Sequence, residues 1–554
     1  MSKHRVAEAL DRLSAKKAVA NGVYLTAVTV FFVVILLPPI LGIVIKWSSI
    51  QNILDKPWFL SRAFDAVKNS FAVALLVSFI DVVTGIPMAW LIARGKSRWL
   101  NVLDTFADVP FIVPTAALGY SLLLFWSKPE GVSQLFESSL VSPGWLLVIL
   151  LHFAFSYPVV VRVVVGALLD YKMEYEQAAR TLGAPPLTAS RTVTFPIIKP
   201  SLIAAFILAF SRSISETGAT MMVAGTFENG PVFIQNIKDE IAVVDPPTYE
   251  GALAFASFML IATALTIFVI IHVFGSKLKM PAKRIYPTFE RKLSYSKAKF
   301  SRDGITLLIF FAVVLIPSLF VALPAFKAIF TETLPHALSS SGVWSEYWQS
   351  IILSYSLGAA VTALNILIGL PMAIIVARKR LGKLPSAVLD LFVNVPLVVP
   401  SIALGVSLKF FWKETMAFIP EIWLLIFAHL AITYPYFVRS MSAAVERISL
   451  DLEEAARTLG AKPLVVFRTI ILPLTKYSIF SGAIMVFTRS VSETGATLAV
   501  VSTLRTAPVV IVDWVKQKVL ATPLEIGLGC GLLILFSFII LLALRFIIKG
   551  KGRY

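Results

Sequence analysis

Glu176-Gln-Ala-Ala-Arg-Thr-Leu-Gly-Ala184 recurs 277 residues later as Glu453-Glu-Ala-Ala-Arg-Thr-Leu-Gly-Ala461. The same offset relates Ser215-Glu-Thr-Gly-Ala-Thr220 to Ser492-Glu-Thr-Gly-Ala-Thr497, and His152 and Tyr157-Pro158 to His429 and Tyr434-Pro435. Earlier in each half, Gly85-Ile-Pro-Met-Ala89 matches Gly369-Leu-Pro-Met-Ala373, and Val109-Pro-Phe-Ile-Val-Pro114 matches Val395-Pro-Leu-Val-Val-Pro400. The chain is therefore an internal duplication whose loops differ in length while its helices correspond.

Around these repeats the chain is apolar. Of 554 residues, 57% are apolar and 15% charged, far too little charge for a water-soluble protein of this length. Apolar runs near the ~20 residues that cross ~30 Å of hydrocarbon recur throughout. They read as twelve spans: roughly 22–46, 67–93, 102–126, 144–168, 199–225 and 251–274, then 304–326, 350–377, 386–412, 421–445, 476–502 and 524–548. Lys and Arg gather in the N-terminal tail, after spans 2 and 8, in the central connection and in the C-terminal tail. With twelve spans these all fall on one side, which the positive-inside rule makes cytoplasmic, both termini included. The fold expected is an all-α integral membrane protein of the cell membrane, with twelve transmembrane helices in two parallel six-helix repeats. An even number of spans per repeat implies a pseudo-twofold axis along the membrane normal. Residues 1–274 form the first repeat, 275–302 a basic cytoplasmic linker and 303–554 the second repeat. The formal charge of +18 follows topology rather than nucleic acid, because no aromatic-basic interleaving accompanies it. No cleavable signal peptide is apparent. Cys530 lies inside an apolar run and has no partner for an internal disulfide.

The segments between spans 4 and 5 (170–198) and between spans 10 and 11 (446–475) are cytoplasmic and only moderately apolar. Acids open each, Ala and Leu favour helix, and Gly183 or Gly460 stands where a helix stops. A short amphipathic helix, a Gly turn and a second helix leading into the next span are expected. A surface loop packed on its own bundle is the plain alternative, which duplication of the segment weakens. These residues resemble the Glu-Ala-Ala, three residues, Gly, nine residues, Ile-x-Leu-Pro signature of bacterial and archaeal ABC importer permeases. Glu454, Ala455, Ala456, Gly460, Ile470, Leu472 and Pro473 match it in full. In the first half Gln177, Ala178, Ala179, Gly183, Val193, Phe195 and Pro196 stand at its positions, with Gln177 replacing the acid and Glu176 one place earlier. The resemblance implies that Glu176–Gly183 and Glu453–Gly460 dock on two separate ATP-binding-cassette subunits that use ATP and Mg. It also implies that an external solute-binding protein delivers the solute. The chain itself is expected to bind no cofactor and to be no enzyme: Gly95-Lys96-Ser97 ends like a phosphate-binding loop, but Trp90 occupies the required first Gly.

Arg212 and Glu216 in span 5 correspond to Arg489 and Glu493 in span 11, and each pair is spaced i, i+4, on one helical face. Pairing lowers the cost of charge in lipid, and such groups face the bundle or a water-filled path. These four residues are expected to line or gate the translocation pathway. The plain alternative is an ion pair that sets helix rotation. Asp81 in span 2 and its counterpart Asn365 in span 8 read first as interhelical hydrogen bonds and second as pathway residues. Pro110/Pro114 and Pro396/Pro400 should kink spans 3 and 9. No cluster of His, Cys or acids suggests a metal site. The span 5 motif looks like that of sulfate, molybdate and tungstate permeases, whereas the fused layout is similar to ferric-iron and thiamine importers. The substrate reading is thus a small ionic solute. An ion-coupled secondary transporter is the competing function, but it has no use for the duplicated docking motif.

Overall fold

The computed structural model describes residues 11–95, 97, 99–136, 138–240, 246–277 and 287–549. Residues 1–10, 96, 98, 278–286 and 550–554, which carry much of the basic charge used for orientation, lie outside them. Every regular element among the described residues is helical. Ten helices are long and apolar enough to cross a membrane, and two bent helix pairs raise the number to twelve if each pair is one span.

The bent pairs are spans 3 and 9, where the prolines do more than kink. The chain turns by 102° between Val102–Phe111 and the helix from Thr115, and by 107° between Lys383–Val398 and Ser401–Thr415. A residue preceding proline is driven out of the helical region. Val113 and Val399 accordingly have ψ of 124° and 128°, and helix resumes only after Pro114 and Pro400.

Four other prolines leave a gentler mark. Wide π-helical turns at Phe31–Leu36, Ser190–Thr194, Phe310–Leu315 and Phe467–Ile471 stand just before Pro38, Pro196, Pro317 and Pro473. Proline lacks an N–H and its ring clashes with the carbonyl four residues back, so a widened turn moves that carbonyl aside and lets the helix continue.

The first span of each half packs on the other half. Ser407 Oγ of the second half donates to Pro39 O in span 1 at 2.6 Å, and Ser121 Oγ of the first half donates to Pro317 O at 2.7 Å. Phe31 stacks on Tyr434, and Phe310 on Tyr157. Ser121 also accepts the Val321 N–H at 2.9 Å. Its hydroxyl thus occupies the place of a ladder hydrogen bond, and the helix breaks between Leu319 and Ala322.

Part of the 275–302 connection is a packed element rather than a free linker. Helix Pro287–Leu293 lies against the segment after the first repeat helix. Glu290 is buried there, pairs with Arg191 at 2.9 Å and accepts from Thr188 Oγ1 at 2.5 Å. Ser294 Oγ accepts the Leu187 N–H, as Ser14 Oγ accepts the equivalent Leu464 N–H. The segment before each first span therefore braces one of the two repeat segments. The shared Leu13-Ser14 and Leu293-Ser294 pairs were the sequence signal for it.

Candidate translocation site

Spans 5 and 11 are broken at the Ser-Glu-Thr-Gly repeat. Helix Phe195–Ser215 stops, Glu216 is extended at ψ 126°, and a new helix runs from Gly218 to Val223. In the second half Leu472–Val491 stops and Gly495–Val500 follows. Each Glu satisfies a free N–H at the restart: Glu216 Oε1 accepts from Ala219 N at 3.2 Å and Glu493 Oε1 from Ala496 N at 2.9 Å. A histidine from span 4 or 10 spans each break. His152 Nδ1 lies 2.8 Å from Ser213 Oγ and Nε2 lies 2.9 Å from Thr220 Oγ1, on the two sides of the gap. His429 contacts Ser490 and Thr497 in the same way, both at 2.9 Å. One ring nitrogen donates and the other accepts, and a hydroxyl can serve either.

This changes the expected arrangement of the charges. Arg212 and Glu216 do not share a continuous helical face, because the break falls between them. Arg489 and Glu493 form an ion pair at 2.5 Å, but Arg212 has no carboxylate within ion-pairing distance among the described residues. Its guanidinium lies 5.4 Å from the Phe155 ring centre and 6.0 Å from that of Phe111, and its buried Nε has no hydrogen-bond partner. The duplication of sequence is thus not a duplication of pairing.

What meets between the halves is the Thr-Gly step. The Gly218 N–H donates to Thr494 Oγ1 at 3.1 Å. A Cβ at Gly218 would lie 2.3 Å from Thr494 Oγ1, and one at Gly495 would lie 2.5 Å from Thr217 Oγ1. The broken spans 3 and 9 close on the same point: Thr115 Oγ1 donates to Ser492 O at 3.2 Å and Ser401 Oγ to Ser215 O at 3.0 Å. Thr115 and Ser401 each follow a Val-Pro pair in equivalent places, a signal the sequence reading passed over. All four breaks therefore converge, and both threonines of the Thr-Gly steps are buried. Asp81 and Asn365 are one contact removed from the two histidines, since Ser156 Oγ and Thr433 Oγ1 also donate to His152 O and His429 O. Each is fully buried and joins span 2 or 8 to span 4 or 10, Asp81 accepting from Ser156 at 2.5 Å and Asn365 donating to Thr433 at 2.9 Å.

The other repeated feature stands at the foot of spans 5 and 11. Helices Glu174–Thr181 and Leu450–Thr458 each end at a left-handed glycine, Gly183 at φ 87° and Gly460 at φ 84°. The N–H just past each glycine folds back five residues, Ala184 to Ala179 O and Ala461 to Ala456 O. This closure needs positive φ, which glycine adopts without a steric cost. A second helix then runs into the span, as expected. The two adjacent acidic positions divide their roles. Glu176 and Glu453 are buried and face Arg94 at 3.6 Å and Arg378 at 2.7 Å, at the ends of spans 2 and 8. Gln177 and Glu454, the signature position, point outward with Ala178 and Ala455, while Ala179 and Ala456 are half-buried. The substitution of Gln177 thus leaves the inward ion pair intact. Leu182 and Leu459, next to the glycines, are 89% and 88% exposed.

A bundle of membrane-length helices whose four broken spans meet at one central contact, with two near-identical exposed helices at the foot of spans 5 and 11, defines a transport subunit. Residues 82–280 and 369–550 each match the binding-protein-dependent transport system inner membrane component family, and the chain belongs to it. Among individual proteins it is 32% identical over 246 residues to the sulfate transport system permease protein CysT of Salmonella typhimurium, covering 43% of this chain and 86% of that protein. It is 30% identical to the protein of the same name from Escherichia coli, over the same shares. It is 28% identical over 232 residues to the molybdenum transport system permease protein ModB of Mycobacterium bovis, covering 40% and 86%. The chain is a multi-pass membrane permease with the family domain present twice.

Proposed function

We propose that this chain forms the membrane pathway of an ATP-driven importer for a small oxyanion of the sulfate or molybdate type. The observation that carries the reading is the meeting of the two Ser-Glu-Thr-Gly breaks, each tied to the other half and each continuous with an outward-facing helix. In this reading residues 1–274 and 303–554 are two parallel six-span repeats about a pseudo-twofold axis along the membrane normal, with both termini cytoplasmic. Two ATP-binding-cassette subunits, which bind ATP and Mg, dock on Gln177–Gly183 and Glu454–Gly460. An external binding protein supplies the solute. Movement of a docking helix is carried along spans 5 and 11 to the breaks, where the Thr217–Gly495 and Thr494–Gly218 contacts part. Arg212, Glu216, Arg489 and Glu493 then stand beside the opening. Arg212, without a carboxylate partner, is the cation an oxyanion would meet there. Asp81 and Asn365 hold helices around the path rather than line it.

The relatives' named solutes favour an oxyanion over ferric iron or thiamine. The duplicated docking helices favour ATP coupling over ion coupling. The test is uptake of labelled sulfate and molybdate by vesicles holding the chain with its ATPase and binding protein. Uptake should require ATP and persist when protonophores collapse the proton gradient. Oxyanion uptake that needs no ATP, or uptake of only cationic solutes, overturns the proposal.

A further inference from the structure

A cavity of about 270 Å³ opens between the two halves, lined by Lys46, Lys238, Lys409, Lys413, Glu250 and Glu414 together with apolar residues that include Ala499. Lys409 and Lys413 stand beyond the break in span 9, shortly before Glu421 opens the next helix, whose far end leads into the Leu450–Thr458 helix. The cavity therefore lies at the end of the bundle opposite the docking helices. Its inner wall at Ala499 belongs to the half-helix that begins at Gly495, so it abuts the central seal.

Four lysines against two glutamates give the lining an excess of two positive charges. Both glutamates are already engaged by Lys46, at 2.9 and 2.5 Å. Lys238 donates to Leu498 O, at the carboxyl end of the half-helix. Burial, and next the charge of Lys409, lower its pKa to about 8. Lys409 and Lys413 have no carboxylate within ion-pairing distance among the described residues. They stand at i, i+4, where like charges repel, and Lys409 is half-buried. Of the further acids, Asp239 beside Lys238 is paired with Lys518 at 2.9 Å, and Glu421 is occupied by the N–H groups of Ser502, Thr503 and Leu504. The fold does not require these lysines, since Leu123 and Ser127 fill the equivalent places in the first half. The half-buried ammonium groups of Lys238 and Lys409, with the exposed Lys413 repelling Lys409 from one turn away, call for an anion. A cavity this size, against ~30 Å³ per liquid water, holds a small anion with part of its hydration shell.

We infer that this cavity is an anion-receiving vestibule, in which Lys238, Lys409 and Lys413 take a small divalent oxyanion before the central seal parts. The inference rests on the proposed oxyanion cargo and adds a site to it. The test is acylation of lysines in the purified full-length chain, followed by mass spectrometry, in sodium sulfate, molybdate or phosphate against sodium chloride of equal ionic strength. At least one oxyanion should slow modification of Lys409 and Lys413 threefold or more and leave the exposed Lys327 unchanged. If none slows them beyond chloride, the vestibule is rejected. The Lys409→Gln/Lys413→Gln variant should reduce oxyanion uptake at least threefold at an unchanged melting temperature. Reduced uptake without any protection would mean that the lysines receive an acidic protein surface instead, which also overturns the inference. Protection in a system that transports no oxyanion would keep the site and remove the proposed cargo. Oxyanion uptake without protection would do the reverse.

Discussion

Arg489 and Arg212 occupy equivalent places in the sequence but not in the electrostatics of the fold. Arg489 is held by Glu493, whereas Arg212 rests on the faces of Phe111 and Phe155. Ring faces attract a guanidinium by about 0.5–2 kcal/mol, less than a buried carboxylate does. The two glutamates should therefore respond unequally to loss of charge. Glutamine keeps an oxygen for the Ala219 or Ala496 N–H, so the helix restart survives in both variants. Glu493→Gln also strands a buried guanidinium, which costs about 3–5 kcal/mol. Glu216→Gln breaks no ion pair at contact distance and should cost less, about 1 kcal/mol. Thermal unfolding of the purified chain in detergent should show a clearly larger fall in Tm for Glu493→Gln. Equal shifts would mean that the pair contributes nothing beyond its hydrogen bond to the backbone.

At the scale of the element, the helices proposed to dock are short, expose apolar as well as polar side chains, and are fixed from below. Glu176 and Glu453 reach down to the arginines ending spans 2 and 8, and the segments before the first spans brace the chain just beyond each Gly turn. In the proposed function such a helix transmits a push as a rigid body. Leu182 and Leu459 face outward with almost nothing from this chain against them. Burying a leucine is worth about 1.5–3 kcal/mol, so each should strengthen ATPase binding on the order of tenfold to a hundredfold. Leu182→Ser with Leu459→Ser should leave the melting temperature of the isolated chain unchanged, lose the ATPase on co-purification and abolish ATP-driven uptake. Retention of the ATPase with normal uptake would reduce these helices to ordinary surface turns. Gly183→Ala or Gly460→Ala is a weaker probe, because a side chain at positive φ strains the turn itself by about 1–2 kcal/mol.

At the scale of the whole molecule, the exchanged first spans and the crossed hydroxyl contacts make the two repeats one interlocked body that closes at a single point. The closure has almost no tolerance, since Gly218 and Gly495 leave no room for a methyl group beside the facing threonines. Gly218→Ala with Gly495→Ala should wedge the halves apart. Vesicles holding the double variant should leak sulfate or molybdate passively, without ATP, at least tenfold faster than those holding the parent. The breaks in spans 5 and 11 should persist, because Glu216, Glu493 and the two histidines remain. Vesicles as tight as the parent's would show that the seal lies elsewhere.

The range of the forces involved decides how much of this molecule is legible in its sequence. Apolar runs of bilayer length, the duplication, the positive-φ glycines after Leu182 and Leu459 and the disruption at Pro114 and Pro400 are written locally, in side-chain hydropathy and in backbone dihedrals that a few residues set by themselves. The helix–Gly–helix form of the docking segments was readable for that reason. Even here the outcome went beyond a kink, since the extended valine ahead of each proline accompanies a turn of more than 100°. Partner choice was a different matter. Lipid is as apolar as a leucine side chain, so hydropathy does not say which helix faces which. Close approach of small residues and a few hydroxyl–carbonyl bonds decide it, and those depend on residues hundreds of positions apart. Only the tertiary structure could therefore place Thr494 against Gly218, lay span 1 across the other half, give Glu493 its arginine while denying one to Glu216, and gather Lys238, Lys409 and Lys413 around one cavity.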